Sequence, residues 1–260
     1  MTKTALITGA SSGIGKAFAE ELAKRNYNLI IIARSTDALN NLKKELENQN
    51  KITVKVITKD LTLPNACQDI YEQIKQEKIE VNLLINNAGF GDYGAFCDRP
   101  LDKQLKMIQL NISALVALTH LFLQDMKKKN QGDIINVGSI AGYQPLPYIS
   151  VYAASKAFIL SFSEALWAEN KDSGVNILAL CPGPTESNFG QVAEFKPNQN
   201  TSDMSLAKAE DVVKDALDSL AQKKSNSVTG GFVNQIIVNL PRFLPRELLL
   251  RAVKKQFSPD

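Results

Sequence analysis

The chain has 260 residues, 44% of them hydrophobic and 22% charged, the balance of a globular protein with one large core. Its 30 Lys and Arg against 27 Asp and Glu leave a formal charge of +3, too small a surplus to argue for nucleic acid as a partner. One histidine, His120 in a strongly apolar helical segment, argues against a Ser-His-Asp triad or a multi-histidine zinc site and reads as a packing or interface residue.

The opening MTKTALITGA runs straight into a strand-like stretch without the layout of a signal peptide, and no apolar run is expected to reach the length of a membrane span. Cys67, Cys97 and Cys181 lack metal-ligand spacing and read as reduced, buried thiols of a cytoplasmic protein. Residues 3–8 predict a strand, the glycine-rich GASSGIG at 9–15 a turn, and the segment behind it a helix. NLIIIA (28–33) is a continuous apolar strand, the pattern of burial on both faces. Leu39, Leu42 and Leu46 mark a helix over about 36–49. Strands follow at 52–58, 81–86, 133–139 and 175–181, with helices at about 65–78, 101–129 and 150–171 between them. A helix at 203–222 and a short strand at 227–229 come later. The alternation predicts an α/β, doubly wound Rossmann fold in one domain: a mostly parallel seven-stranded sheet with helices on both faces. The polar stretch at about 183–202 follows a strand's carboxyl end, where substrate loops and lids belong.

Tyr152 and Lys156 are one helical turn apart. An unperturbed phenol ionises near pH ~10 and shuttles protons poorly at neutrality. An ammonium about 4–5 Å away, at an effective dielectric of about 20, favours the phenolate by roughly 3–4 kcal/mol, which brings the phenol into working range. Ser139 offers a hydroxyl to the same substrate oxygen. Tyr71 and Lys75 share that spacing, however, and Thr58 mimics the interval from Ser139 to Tyr152. Spacing alone does not choose between the two pairs.

The string from Thr8 through Gly9, Ser11, Ser12, Gly13, Ile14 and Gly15 joins the first strand to the first helix. Glycines let the backbone approach a pyrophosphate, and the helix amino-terminus adds N–H donors and partial positive charge. A carboxylate at the end of the second strand would bind ribose hydroxyls and repel a 2′-phosphate; here Ala33, Arg34 and Ser35 stand in that place. Arginine's fork suits phosphate, so NADP(H) is favoured over NAD(H). Asp37 falls at the start of the next helix and is expected to serve the helix end.

These residues resemble the short-chain dehydrogenase/reductase family over about residues 3–190. The resemblance rests on the glycine string, Asp60-Leu61, Asn86-Asn87-Ala88-Gly89, Asn111, Ser139, the Tyr152-to-Lys156 segment and Pro182-Gly183. It implies catalysis by Asn111, Ser139, Tyr152 and Lys156. Asp60 and Leu61 would flank the adenine, Asn87, Ala88 and Gly89 would line the adenosine ribose side, and Tyr152 and Lys156 would also touch the cofactor. Asn111 would kink its helix and anchor a water linking Lys156 to solvent. Thr185 would present backbone to the carboxamide beside Pro182 and Gly183, and Ser187 stands where the family usually has threonine. It also implies that Tyr71 lies on the adenosine side, away from the reactive ring.

The resemblance further implies a small carbonyl or alcohol substrate and a homodimer or homotetramer. The apolar helices at 101–129 and 150–171 (Leu115, Leu118, Leu121, Phe122; Phe158, Phe162, Trp167) would pair between subunits. Phe90, Tyr93, Tyr143, Tyr148, Phe189 and Phe195 are the expected pocket lining and suggest an apolar or acyl carbonyl. Residues 232–257 depart from the usual ending of the family. Val233, Ile236, Ile237 and Leu240 are helically spaced, Leu248, Leu249 and Val253 can continue that face, and Arg242, Arg246, Arg251, Lys254 and Lys255 make the segment basic. Packing on its own or a neighbouring subunit is the first expectation. A flap over the substrate is the second, and peripheral contact with anionic lipid the least favoured of the three.

Overall fold

A computed structural model describes residues 2–195 and 206–258. Its first strand, β1 (Thr4–Thr8), is buried along its whole length, as are the four central residues of β2 (Asn28–Ala33). Such strands need cover on both faces, and alternate side chains supply two cores. Ile7, Ile31, Ile85 and Leu178 point to one core with helices α1 (Gly13–Lys24), α2 (Thr36–Gln49) and α8 (Ala209–Ala221). Leu6, Ile30, Leu84 and Ile177 point to the other, with α3 (Ala66–Gln76) and α5 (Leu115–Lys128). Each fully buried leucine or isoleucine contributes roughly 1.5–3 kcal/mol, so these two clusters hold the fold.

The remaining strands are β3 (Val54–Thr58), β4 (Leu83–Asn86), β5 (Gly132–Val137), β6 (Val175–Pro182) and β7 (Asn226–Thr229). All pairings are parallel, in the order β3-β2-β1-β4-β5-β6-β7. The order reverses between β1 and β4, which opens a crevice at their carboxyl ends. Beside it run α4 (Leu101–Ile108), a π-helical turn (Gln109–Ala114) and α5, then α6 (Ser150–Glu169). A short helix α7 (Phe189–Val192), α9 (Phe232–Asn239) and α10 (Arg246–Phe257) complete the chain.

Several expectations are corrected. The strands expected from residues 52 and 81 begin at Val54 and Leu83, the helix expected from residue 203 begins at Ala209, and β5 stops at Val137, leaving Ser139 outside it. Residues 196–202 of the expected lid and the start of that late helix, 203–205, lie outside the described residues. Leu101–Lys128 is one helix long and apolar enough, by length and composition, to cross a bilayer. Its Leu118, Phe122 and Met126 are spent on the second core and Leu115 is buried as well, so Leu115, Leu118 and Phe122 cannot also face another subunit. The apolar groups this region exposes are Leu101, Leu105, Ile108 and Phe158. His120 is exposed and contacts Gln124 at 2.6 Å, and Cys97 is exposed rather than buried.

The C-terminal helices also differ from expectation. α9 buries Asn234 and Val238, while Val233, Ile236 and Leu240 face outward. The cause is local: the Asn234 amide donates to the Thr229 and Gly230 carbonyls and turns that side of the helix inward. α10 packs Leu249 and Val253 on its own subunit against Leu146, Ile149 and Ala153, with Tyr152 at the margin.

Candidate active site

The glycine string lies at the mouth of the crevice. Gly9 has φ +66°, and a Cβ there would stand 2.8 Å from the Asn87 amide nitrogen, so side-chain-free backbone is required. Asn87 explains the approach: its Nδ2 donates to the Thr8 and Gly9 carbonyls at 3.0 and 3.1 Å. Thr8 Oγ1 in turn accepts from the Asn87 and Ala88 amides, both at 3.0 Å. Gly13 meets Ser187 (3.0 Å from the position of a Cβ), which brings the loop after β6 onto the string, and Gly15 packs under Gly9. Ser12 caps α1 without a side-chain hydrogen bond, and no acidic residue occupies the first turn. Ser11, Ser12 and Ile14 thus border a turn whose N–H groups are free to meet an anion.

At the end of β2, Arg34 is exposed and makes no ion pair among the described residues. Ser35 caps α2, its Oγ accepting from Ala38 N, and Asp37 sits in the first helical turn. Asp60 accepts from the Thr62 amide and hydroxyl; the Thr62 amide is the first cause holding its carboxyl below the usual range. Leu61 is buried beside it. Cradle, anion-binding turn and free guanidinium all fit a dinucleotide, with the arginine suited to an additional phosphate.

The residues expected to handle protons meet at the tips of β4 and β5. Lys156 is 5% exposed; its Nζ donates to the Val137 carbonyl at 2.8 Å and lies 5.5 Å from the centre of the Tyr152 ring. Ser139, freed by the end of β5, accepts from Ala141 N at 3.1 Å and lies 3.5 Å from the Pro182 carbonyl, close enough to Tyr152 to lower its pKa. Asn111 sits in the π-helical turn, buried, with Oδ1 accepting from Phe90 N. Its Nδ2 donates to the Phe90 carbonyl and to Ser155 Oγ, each at 3.0 Å. Gly89 fits between Asn111 and Lys156, since a Cβ there would stand 3.0 Å from Asn111 Oδ1 and 3.7 Å from Lys156 Nζ. The widened turn is what lets Asn111 bond backbone of the β4 loop rather than its own helix.

The electrostatics correct the expectation of a phenol made acidic by its lysine. Burial pushes Tyr152 up to about 12, against the lowering effect of Ser139, and pulls Lys156 down to about 8. The ammonium lies over the ring face, and it is itself desolvated, so its charge is less secure than that of a solvated lysine. At pH 7 the lysine is still mainly protonated and the phenol entirely so. Tyr71, the rival, donates to Asp125 at 2.8 Å, and Lys75 pairs with the same carboxylate at 3.0 Å. That pair belongs to the α3–α5 contact, away from the crevice.

The loop after β6 closes over this centre. Pro182 pairs with Thr229 of β7, and the Asn234 amide fills the space a side chain at Gly183 would need. Thr185 bonds the Gly183 carbonyl at 2.9 Å and pairs with Ala207. Phe189 lies 5.0 Å from the Tyr152 ring, and its edge occupies the space over Gly91, where a Cβ would come within 2.6 Å. Tyr93 contacts Phe195 (5.0 Å) and Tyr148 (6.5 Å) and donates to the Phe257 carbonyl at 2.7 Å. Phe189 thus stands against Tyr152, while Tyr93, Tyr148 and Phe195 form an aromatic group of their own that reaches Phe257. Tyr143 does not join them: its hydroxyl is buried beside the Cys181 thiol, without a hydrogen bond of ordinary geometry, and burial raises its pKa far above the usual phenol value.

Sequence reasoning missed an ionic cluster beneath the loop. The fully buried Asp92 carboxylate accepts from Arg99 Nε (2.7 Å) and Nη2 (2.5 Å), Lys103 (2.6 Å) and Gln104 (2.5 Å). Arg99 and Lys103 also reach Glu194, at 2.9 and 2.7 Å. Ser155 was missed too. An acidic residue in a glycine-rich loop followed by two cations is a weak signal, and nothing local announces that Glu194, some ninety positions on, shares them.

A family model described as short chain dehydrogenase matches residues 3–197. Very-long-chain 3-oxoacyl-CoA reductase of Anas platyrhynchos is 32% identical over 96% of this chain and 80% of that one. The 17-beta-hydroxysteroid dehydrogenase type 3 of Mus musculus is 36% identical over 70% of this chain and 60% of its own. Among solved structures, a short-chain dehydrogenase from Sphingobium yanoikuyae in complex with NADPH superposes with a TM-score of 0.81 at 29% identity, covering 87% of each chain.

Proposed function

The chain belongs to the short-chain dehydrogenase family of oxidoreductases, and from that premise we propose that it transfers hydride between NADP(H) and an apolar ketone or its secondary alcohol. The carrying observation is the convergence of Ser139, Tyr152 and Lys156 beside the glycine cradle, with Asn111 holding the loop between them. When bound, the nicotinamide supplies or accepts the hydride. Tyr152, protonated at neutral pH, donates to the carbonyl oxygen and surrenders its proton as negative charge develops there. Ser139 donates a second hydrogen bond to that oxygen. Lys156 steadies the phenolate that remains, and Asn111 keeps the lysine's pocket in place. Gly9, Gly13 and the α1 amides bind the pyrophosphate, and Arg34 takes the 2′-phosphate. Residues 183–195 serve as the substrate loop.

Phe189 against Tyr152, and the likeness to a very-long-chain 3-oxoacyl-CoA reductase and a hydroxysteroid dehydrogenase, support an apolar substrate, for which a long-chain 3-oxoacyl thioester is the first candidate. The exposed Leu101, Leu105 and Ile108 support assembly as a homodimer or homotetramer. The test is NADPH consumption with aliphatic ketones, 3-oxoacyl thioesters and ketosteroids. Turnover that falls about 10²–10⁴-fold in Tyr152→Phe supports the assignment. Tight NADPH binding without turnover on any of them makes the protein a silent dinucleotide binder instead. An NAD-linked dehydrogenase is the second reading, and Arg34→Ala would leave it unimpaired.

A further inference from the structure

We propose that the C-terminal segment docks the protein on an anionic lipid surface. α9 and the turn after it expose one apolar stripe: Phe232 is 78% exposed, Ile236 49%, Leu240 46% and Phe243 82%, at intervals of one helical turn. Val233, at 66%, widens it. A water-facing stripe of this size on a helix that already has a packed side marks a contact surface. The inward side is accounted for by Asn234 and Val238, so the stripe is not a core face left open by misfit.

Charge selects the occupant. Arg242, Arg246, Arg251, Lys254 and Lys255 follow the stripe, with Glu247 the only carboxylate between Phe232 and Ser258. None of the five cations makes an ion pair among the described residues. The segment alone carries more positive charge than the +3 of the whole chain. A second copy meeting the same patch about a twofold axis would oppose cation to cation. A surface of anionic headgroups over hydrocarbon complements both the cations and the phenylalanines.

The position has a functional sense. The inward side of α10 packs Leu249 and Val253 next to Ile149 and Ala153, at the start of the helix that carries Tyr152, and Tyr93 bonds the Phe257 carbonyl. The bilayer contact and the proposed substrate side are therefore neighbours, and an acyl carbonyl could pass between them. The docking itself does not depend on the proposed reaction.

The experiment is sedimentation of the full-length protein with vesicles of phosphatidylcholine alone and of equimolar phosphatidylcholine and phosphatidylglycerol. Binding is expected to the second and to weaken as salt is raised. A Phe232→Ser/Ile236→Ser/Phe243→Ser variant should bind at least about tenfold more weakly with unchanged circular dichroism and melting. Arg246→Gln/Arg251→Gln/Lys254→Gln/Lys255→Gln should lose the preference for anionic vesicles. No binding to either vesicle, or undiminished binding by the serine variant, overturns the proposal. So does a serine variant that is smaller in size-exclusion chromatography when the parent ignores vesicles, because the stripe would then be an interface between copies.

Discussion

Asp92 and Glu194 share Arg99 and Lys103 but sit in different media, and changing each separately tests whether the cluster supports the fold, the loop or both. The Asp92 side chain is fully buried and receives two cations and one amide. Asp92→Asn leaves Arg99 and Lys103 without their buried counter-charge. Breaking such a pair costs about 3–5 kcal/mol, which in a domain of this size lowers Tm by about 6–20 °C. Glu194 is 56% exposed, where an ion pair adds little to stability. Glu194→Gln should therefore melt with the parent, yet release the turn that holds Phe189 over Tyr152 and raise KM several-fold with a smaller change in kcat. Differential scanning calorimetry and steady-state kinetics on the pair of variants separate the two effects. Acidity adds a check. Burial, the largest influence, raises the Asp92 carboxyl, but Arg99 and Lys103 outweigh it and hold it below the usual range. A depressed carboxylate contributes its full stability above the unfolded value of about 3.9 and loses it as pH falls through the folded one. The parent should lose that increment below about pH 4, and Asp92→Asn should not. An Asp92→Asn protein that melts with the parent refutes the reasoning.

Lys156, held near 8 by burial, predicts an alkaline limb near pH 8 in kcat/KM for ketone reduction, above which the lysine charge is gone while Tyr152 still keeps its proton; a flat profile to pH 10 contradicts this. Arg34→Ala should weaken NADPH by about 10–150-fold, the worth of a charged hydrogen bond, and leave NADH almost unchanged, as read by fluorescence titration. Tyr71→Phe should cost about 1 kcal/mol of stability through its lost bond to Asp125 and leave turnover unaltered, the opposite of Tyr152→Phe.

The fold was legible because its signals are local. Continuous apolar runs such as NLIIIA and the glycine string at a strand-to-helix junction each declare their surroundings, and β2 and α2 begin and end where the periodicity puts them. The choice of Tyr152 over Tyr71 needed the family resemblance, because spacing does not display what each lysine meets in the fold: Lys156 is buried on a strand carbonyl, and Lys75 is paired with a carboxylate. What the sequence could not display is long-range. The tuning of Tyr152 follows from how deeply both groups are buried, not from their separation along a helix. The Asp92 cluster joins residues far apart in the chain, and the outward turn of Val233 and Ile236 is decided by a single asparagine gripping the end of β7. Hydrophobic spacing identifies a face without saying whether anything covers it.

Gly91 makes the site adjustable by one atom. Because the Phe189 edge rests where a side chain on that residue would begin, with the Tyr152 ring 3.4 Å from the same point, adding a methyl there would push the Phe189 ring off its seat beside Tyr152.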